Sequence, residues 1–125
     1  MPILTDKAIQ NHQSGNSCSA SVLKAFASSA GMTESEAVKA AMPFAGGRMI
    51  KCGAVLAAEY VLNKTGGSNG EKLADEFERR FIEMNGSAVC RELKGVGTGK
   101  ILRSCRGCVT DAAEILEEML MRQNG

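Results

Sequence analysis

Gly46-Gly47-Arg48-Met49-Ile50-Lys51-Cys52-Gly53-Ala54 turns the chain through a glycine pair into a cysteine, and an apolar run follows at once. Cys52, Val55, Leu56 and Glu59 share one side of that run, while Ala54, Ala58, Val61 and Leu62 fill another. A helix apolar around most of its girth belongs at the centre of a bundle. The spacing therefore predicts a central helix from about Met49 to Asn63. Small residues at Gly53, Ala54, Ala57 and Ala58 let neighbouring helices come close. A thiol at Cys52 falls near the first turn, beside Arg48 and Lys51, where open amides and cations favour the thiolate.

Moving upstream, Thr33-Glu34-Ser35-Glu36 is a capping box, and its helix runs to about Met42 before Pro43 stops it. Cys18, Val22, Phe26 and Ala30 recur every four residues, with Leu23 and Ala27 beside them. They predict a helix from Ser17 to Ala30, capped by Asn16 or Ser17 and stopped by Gly31. Residues 1–15 read as a flexible lead-in, with at most a short turn from Asp6 to Ile9. His12, the single histidine, lies on a polar stretch and reads as exposed.

Downstream, Thr65-Gly66-Gly67-Ser68-Asn69-Gly70 is a loop, and Ser68 with Glu71 makes a second capping box. Leu73, Ala74, Phe77, Phe81 and Met84 then form the buried stripe of a helix from about Asn69 to Met84. Ser87 caps a short helix, Ala88 to Leu93, carrying Cys90. Lys94 to Lys100 is rich in glycine, but Lys94 stands where a phosphate loop needs its first glycine. The last helix starts near Ser104 or Cys105 and ends near Arg122, with Val109, Ala112, Ala113, Leu116, Met119 and Leu120 inward. Nothing alternates with period two. The expected fold is all-α: one domain, residues 16–122, built as a compact bundle of four to six helices.

The 125 residues suit a single core, and the net charge of +1 comes from fifteen basic and fourteen acidic side chains, mostly interspersed. That balance, with four Phe, one Tyr and no Trp, argues against nucleic acid. No apolar run approaches the roughly 18 to 20 residues of a membrane span. The N-terminus lacks the pattern of a secretion signal. A cytoplasmic protein is expected, with its cysteines reduced.

Five cysteines therefore stand for thiol chemistry, metal binding or plain burial. Cys18, Cys52 and Cys105 fall near helix starts, and Arg91, Arg103 and Arg106 add cations beside Cys90 and Cys105. Against this, Cys18 and Cys52 also lie on apolar stripes, as core residues do. Cys105-Arg106-Gly107-Cys108 is a CxxC without the strand-helix-strand setting of a thioredoxin dithiol. It lacks the second close ligand pair usual for zinc.

Asn16-Ser17-Cys18-Ser19, Cys52-Gly53-Ala54, Cys90-Arg91-Glu92-Leu93 and a last cysteine before Val109 and Asp111-Ala112-Ala113-Glu114-Ile115-Leu116-Glu117-Glu118 resemble the CGCAxxGCC-motif (C_GCAxxG_C_C) family. That family is described as redox-active. The resemblance spans about Asn16 to Leu120. It places the family's four cysteines on Cys18, Cys52, Cys90 and Cys105, and leaves Cys108 extra. Ala57 stands where the family has a glycine.

The leading reading is a redox protein in which these four thiols act together. Cys52 would be the most reactive thiolate, Cys18 or Cys105 its resolving partner, and an unidentified redox protein its client. Glu59, seven residues after Cys52, is a candidate proton acceptor. A second reading makes Cys18, Cys52, Cys90, Cys105 and Cys108 ligands of zinc or an iron-sulfur cluster. A third is a helical interaction module, as a single chain or a homo-oligomer, whose cysteines are buried and inert.

Overall fold

A computed structural model describes residues 3–47, 51–96 and 99–124. Its helices are α1 (Ile3–Gln13), α2 (Cys18–Ala25), α3 (Glu34–Ala41), α4 (Gly53–Thr65), α5 (Gly70–Asn85), α6 (Cys90–Leu93) and α7 (Cys105–Asn124). Short 3-10 turns cover Met42–Gly47 and Gly67–Asn69. The single domain is all-α, as its periodicities predict. Among the described residues the only β pairing is an isolated antiparallel bridge between Lys51 and Val89.

Helix α4 is the centre. Ala54, Val55, Ala57, Ala58, Val61 and Leu62 are fully buried, and the helix packs against α2, α5 and α7. It begins at Gly53, with Cys52 at the cap. The expected start at Met49 falls outside the described residues. On α5, Phe77 and Phe81 stack with ring centroids 6.3 Å apart and fill the layer beneath α4. Gly86 ends α5 in the left-handed region, φ +88°, a conformation that glycine adopts without steric cost.

Local signals set several helix ends as the sequence implies. Thr33 accepts from the Glu36 amide at 3.1 Å, and Glu36 accepts from the Thr33 amide at 2.9 Å. Ser17 caps α2 by accepting from the Ala20 amide at 3.2 Å. Other ends differ. Helix α2 stops at Ala25, because Phe26 leaves the helical conformation (φ −102°, ψ 14°) and the chain continues in turns to Gly31. The Ser68 capping box does not form: Ser68 lies inside the 3-10 turn, and Asn69 precedes α5 without a side-chain cap. Ser87 accepts from the Val89 amide at 3.0 Å, so α6 starts only at Cys90.

The segment read as a lead-in carries the helix α1. It packs on α2 and α7, burying Thr5 and Ala8. Its start is held by Glu117 on α7, whose carboxylate accepts from the Leu4 amide (3.1 Å), the Thr5 amide (3.0 Å) and the Thr5 hydroxyl (2.8 Å). A carboxylate suits a helix N-terminus, where amides lack internal partners. That anchor lies at the other end of the chain, so no local pattern announces the helix.

Candidate thiol centre

Four helices begin on a cysteine or are capped by one. Cys18 opens α2, Cys52 caps α4, Cys90 opens α6 and Cys105 opens α7. Ser104 caps α7, accepting from the Gly107 amide at 3.0 Å, and this places Cys108 within the first turn. All five are thiols, not disulfides; Cys105 is half-buried and the other four are buried.

The backbone brings these starts together. The Cys52 amide donates to the Ala88 carbonyl at 2.7 Å, and the Lys51–Val89 bridge sits beside it. The segment before Cys90 is thus fastened to the segment before Cys52. Gly53 permits the approach of α2: a Cβ there would lie 2.7 Å from Cys18 Sγ and 2.8 Å from the Phe44 carbonyl oxygen.

Cys52 is the hub. Its sulfur is in hydrogen-bonding contact with the thiols of both Cys108 and Cys18. The Cys108 sulfur, reinforced by burial, pushes the Cys52 thiol up from 9.0 to about 12, although Cys18 and the Ala54 amide pull the other way. This corrects the expectation that Cys52 is the most reactive thiolate. Desolvation and a neighbouring sulfur outweigh the helix terminus. Cys108, expected to be extra, is among the most buried of the five at 2% exposure and lies in the contact.

The cations are also placed differently from their sequence neighbourhood. Lys51 turns from Cys52 and ion-pairs with Glu78 at 2.5 Å and Glu59 at 3.5 Å. Arg103 grips Asp111 with two bonds, 3.0 and 3.3 Å, over Gly107, where a side chain would collide with the guanidinium. Arg91 and Arg106 are exposed, and Arg48 lies outside the described residues. The cation that faces the thiols is Lys94, just after α6. It is in hydrogen-bonding contact with Cys105 and feels the charges of Cys90 and Cys18, which hold its pKa above the ordinary lysine value. No sequence motif marks Lys94. Cys108 leaves one faint trace, its helical register with Ala112, Ile115 and Met119 along the inward face of α7.

Glu59 serves another cluster. Its carboxyl faces Glu78 across Lys51, and burial, then the Glu78 contact, raise it from 4.5 to about 7. Burial pushes Glu78 up too, but Lys51 and Glu59 outweigh it and hold Glu78 low. Glu59 Oε2 is buried without a donor among the described residues, so a proton on this carboxyl satisfies the contact. The Glu59 proton stabilises the fold fully below pH 4.5, and that stability is lost as pH rises through about 7. The unfolding free energy of the wild type, read from urea titrations, should therefore fall between about pH 5 and about pH 8 by on the order of 2 kcal/mol. Glu59→Gln should flatten that slope; an unchanged slope would refute the shared proton.

Among the described residues, no group of three or more His, Cys, Asp or Glu side chains is arranged to hold a metal ion. The zinc or iron-sulfur reading of Cys18, Cys52, Cys90, Cys105 and Cys108 therefore gains no support from this geometry. Among the described residues, no helix is long and apolar enough to cross a membrane.

A helical bundle whose helix starts converge on thiols defines a class of all-α cysteine-centred protein. Within that class, the chain belongs to the family described as "Putative redox-active protein (C_GCAxxG_C_C)", which matches residues 16–119. No curated protein and no solved structure matches the chain.

Proposed function

We propose that this protein performs two-electron thiol-disulfide exchange, with Cys52 and Cys108 as the pair that closes and Cys18 as the alternative partner of Cys52. The observation that carries the reading is the contact of one buried sulfur with two others. Exchange needs sulfurs that can reach bonding distance without unfolding the chain. In the oxidising direction, two protein thiols give up two electrons and two protons. A partner disulfide takes them and becomes two thiols.

The raised pKa of Cys52 gives it a role distinct from that of a nucleophile waiting in solvent. It keeps its proton until a neighbouring sulfur needs it, so it holds reducing equivalents away from adventitious oxidants. Such chemistry suits a reducing compartment such as the cytosol.

The test is disulfide mapping. The folded protein is treated with a small disulfide, quenched in acid, digested and analysed for linked peptides. Cys52–Cys108 or Cys52–Cys18 linkage is expected. Oxidation that leaves Cys52 unlinked while the chain stays folded would overturn the proposal.

A further inference from the structure

Cys52 and Cys108 are 4% and 2% exposed, too enclosed for direct attack on an outside disulfide. Cys105 is half-buried and is the most open of the five thiols. It precedes Cys108 by three residues on the same helix, so both project from one turn, with Cβ atoms roughly 5 to 6 Å apart. That separation is compatible with a disulfide only after local adjustment of the first turn. Cys108 is also in contact with Cys52. One sulfur thus stands between the surface and the interior.

The surroundings of Cys105 carry a charge pattern. The Lys94 ammonium touches it, and exposed Arg106 follows it in the chain. The Leu93 carbonyl accepts from both the Leu102 and Arg103 amides, and the Gly99 amide donates to Gly95. The backbone of Lys100 is thereby held against Gly95, which keeps the turn after Lys94 closed. Of the nearby acidic residues, Asp111 is paired with Arg103, and Glu92 takes the Ser87 hydroxyl at 2.6 Å.

We infer that Cys105 is the attacking thiol, that its substrate is an anionic disulfide drawn by Lys94 and Arg106, and that Cys108 relays the bond inward to Cys52. This rests on the exchange function proposed above. The Cys105 thiolate attacks one substrate sulfur; the Cys105–substrate bond forms, the substrate disulfide breaks, and the first substrate thiol leaves. Cys108 then attacks Cys105, closing Cys105–Cys108 and releasing the second substrate thiol. Cys52 attacks Cys108, giving Cys52–Cys108 and restoring the Cys105 thiolate. Protons from the Cys108 and Cys52 thiols pass to the two departing substrate thiolates. In sum, one substrate disulfide becomes two thiols and one protein dithiol becomes a disulfide.

The experiment traps the first step. Cys108→Ser protein, with a free Cys105, is mixed with oxidised glutathione, with a cystine peptide flanked by aspartates, or with cationic cystamine. A mixed disulfide on Cys105 should accumulate. Both anionic probes should outpace cystamine about tenfold at low salt, and the gap should close at high salt. The faster anionic probe separates a small thiol from an acidic protein segment as the source. Lys94→Gln should slow the adduct severalfold and Lys94→Arg should restore it, which a purely structural lysine would not show. An adduct on Cys18, Cys52 or Cys90 instead overturns the assignment of Cys105, and equal rates for all three probes overturn the charge preference. Wild-type protein run in parallel separates this inference from its basis. If Cys52 links normally while Cys105 does not trap, the relay alone fails; if Cys52 never links, the exchange function fails as well.

Discussion

Cys52→Ser should leave a folded protein in which oxidation linking the interior sulfurs is lost, by about 100-fold or more in rate. The reason is positional. Cys52 is the sulfur in contact with both Cys108 and Cys18, and a serine oxygen can replace neither link. Cys52→Ala provides a second variant in case a buried hydroxyl disturbs the cap of α4. Circular dichroism checks the fold, and the linked-peptide assay reads the loss. A Cys52→Ser protein that still forms a Cys18–Cys108 bond at the wild-type rate would sink the prediction. The same residue governs behaviour in alkali. In the unfolded chain its thiol ionises near 9.0, whereas in the fold it keeps its proton to about 12. The folded state then binds the extra proton, so this stabilisation is complete below pH 9.0 and is lost as pH rises toward about 12. The variant should lose less stability over that window than the wild type does.

Glu117→Ala should destabilise the protein by about 2 to 4 kcal/mol and release α1. One carboxylate accepts three bonds there, two from amides at the start of the helix and one from the buried Thr5 hydroxyl. Hydrogen bonds to a charged acceptor are each stronger than neutral ones, and removing the acceptor strands Thr5 in the core. Denaturant midpoints measure the loss, and amide exchange across Ile3–Gln13 locates it. Glu117→Gln, which keeps one acceptor oxygen, should fall between. A shift below about 0.5 kcal/mol would show that α1 is held by its apolar contacts alone. The consequence reaches the thiols, because α1 packs on α2 and α7, the helices that carry Cys18, Cys105 and Cys108.

How far the sequence could be read follows from the range of each signal. The Thr33–Glu36 box, the apolar girth of α4 and the stripe of α7 are local patterns, and each is present in the structure. Helix α1 is not a local pattern, since its anchor is Glu117. The cysteine motifs point to the family, and three thiols near helix starts, Cys18, Cys52 and Cys105, were legible from caps and glycines, whereas the same signals set Cys90 inside a helix that in fact starts there. Which sulfurs meet was not. The family resemblance places its last cysteine on Cys105 and leaves Cys108 extra, but the helical turn puts Cys108 inward and leaves Cys105 half-buried. Neighbouring cations misled for a related reason. Long flexible side chains follow their partners in space, so Lys51 and Arg103 go to carboxylates while Lys94, from a turn without a motif, faces the thiols.

Gly53 gives the thiol centre a mechanical meaning. Because its missing side chain lets the first turn of α4 rest on Cys18, the sulfurs that would bond already belong to distant parts of the chain. A bond between Cys52 and Cys108 would close a long loop, and such cross-links typically restrain the unfolded chain by about 4 kcal/mol. Oxidation would then act as a clamp, and a molecule that had taken up a disulfide would resist proteases longer than its reduced twin. Its persistence would carry a record of its redox history.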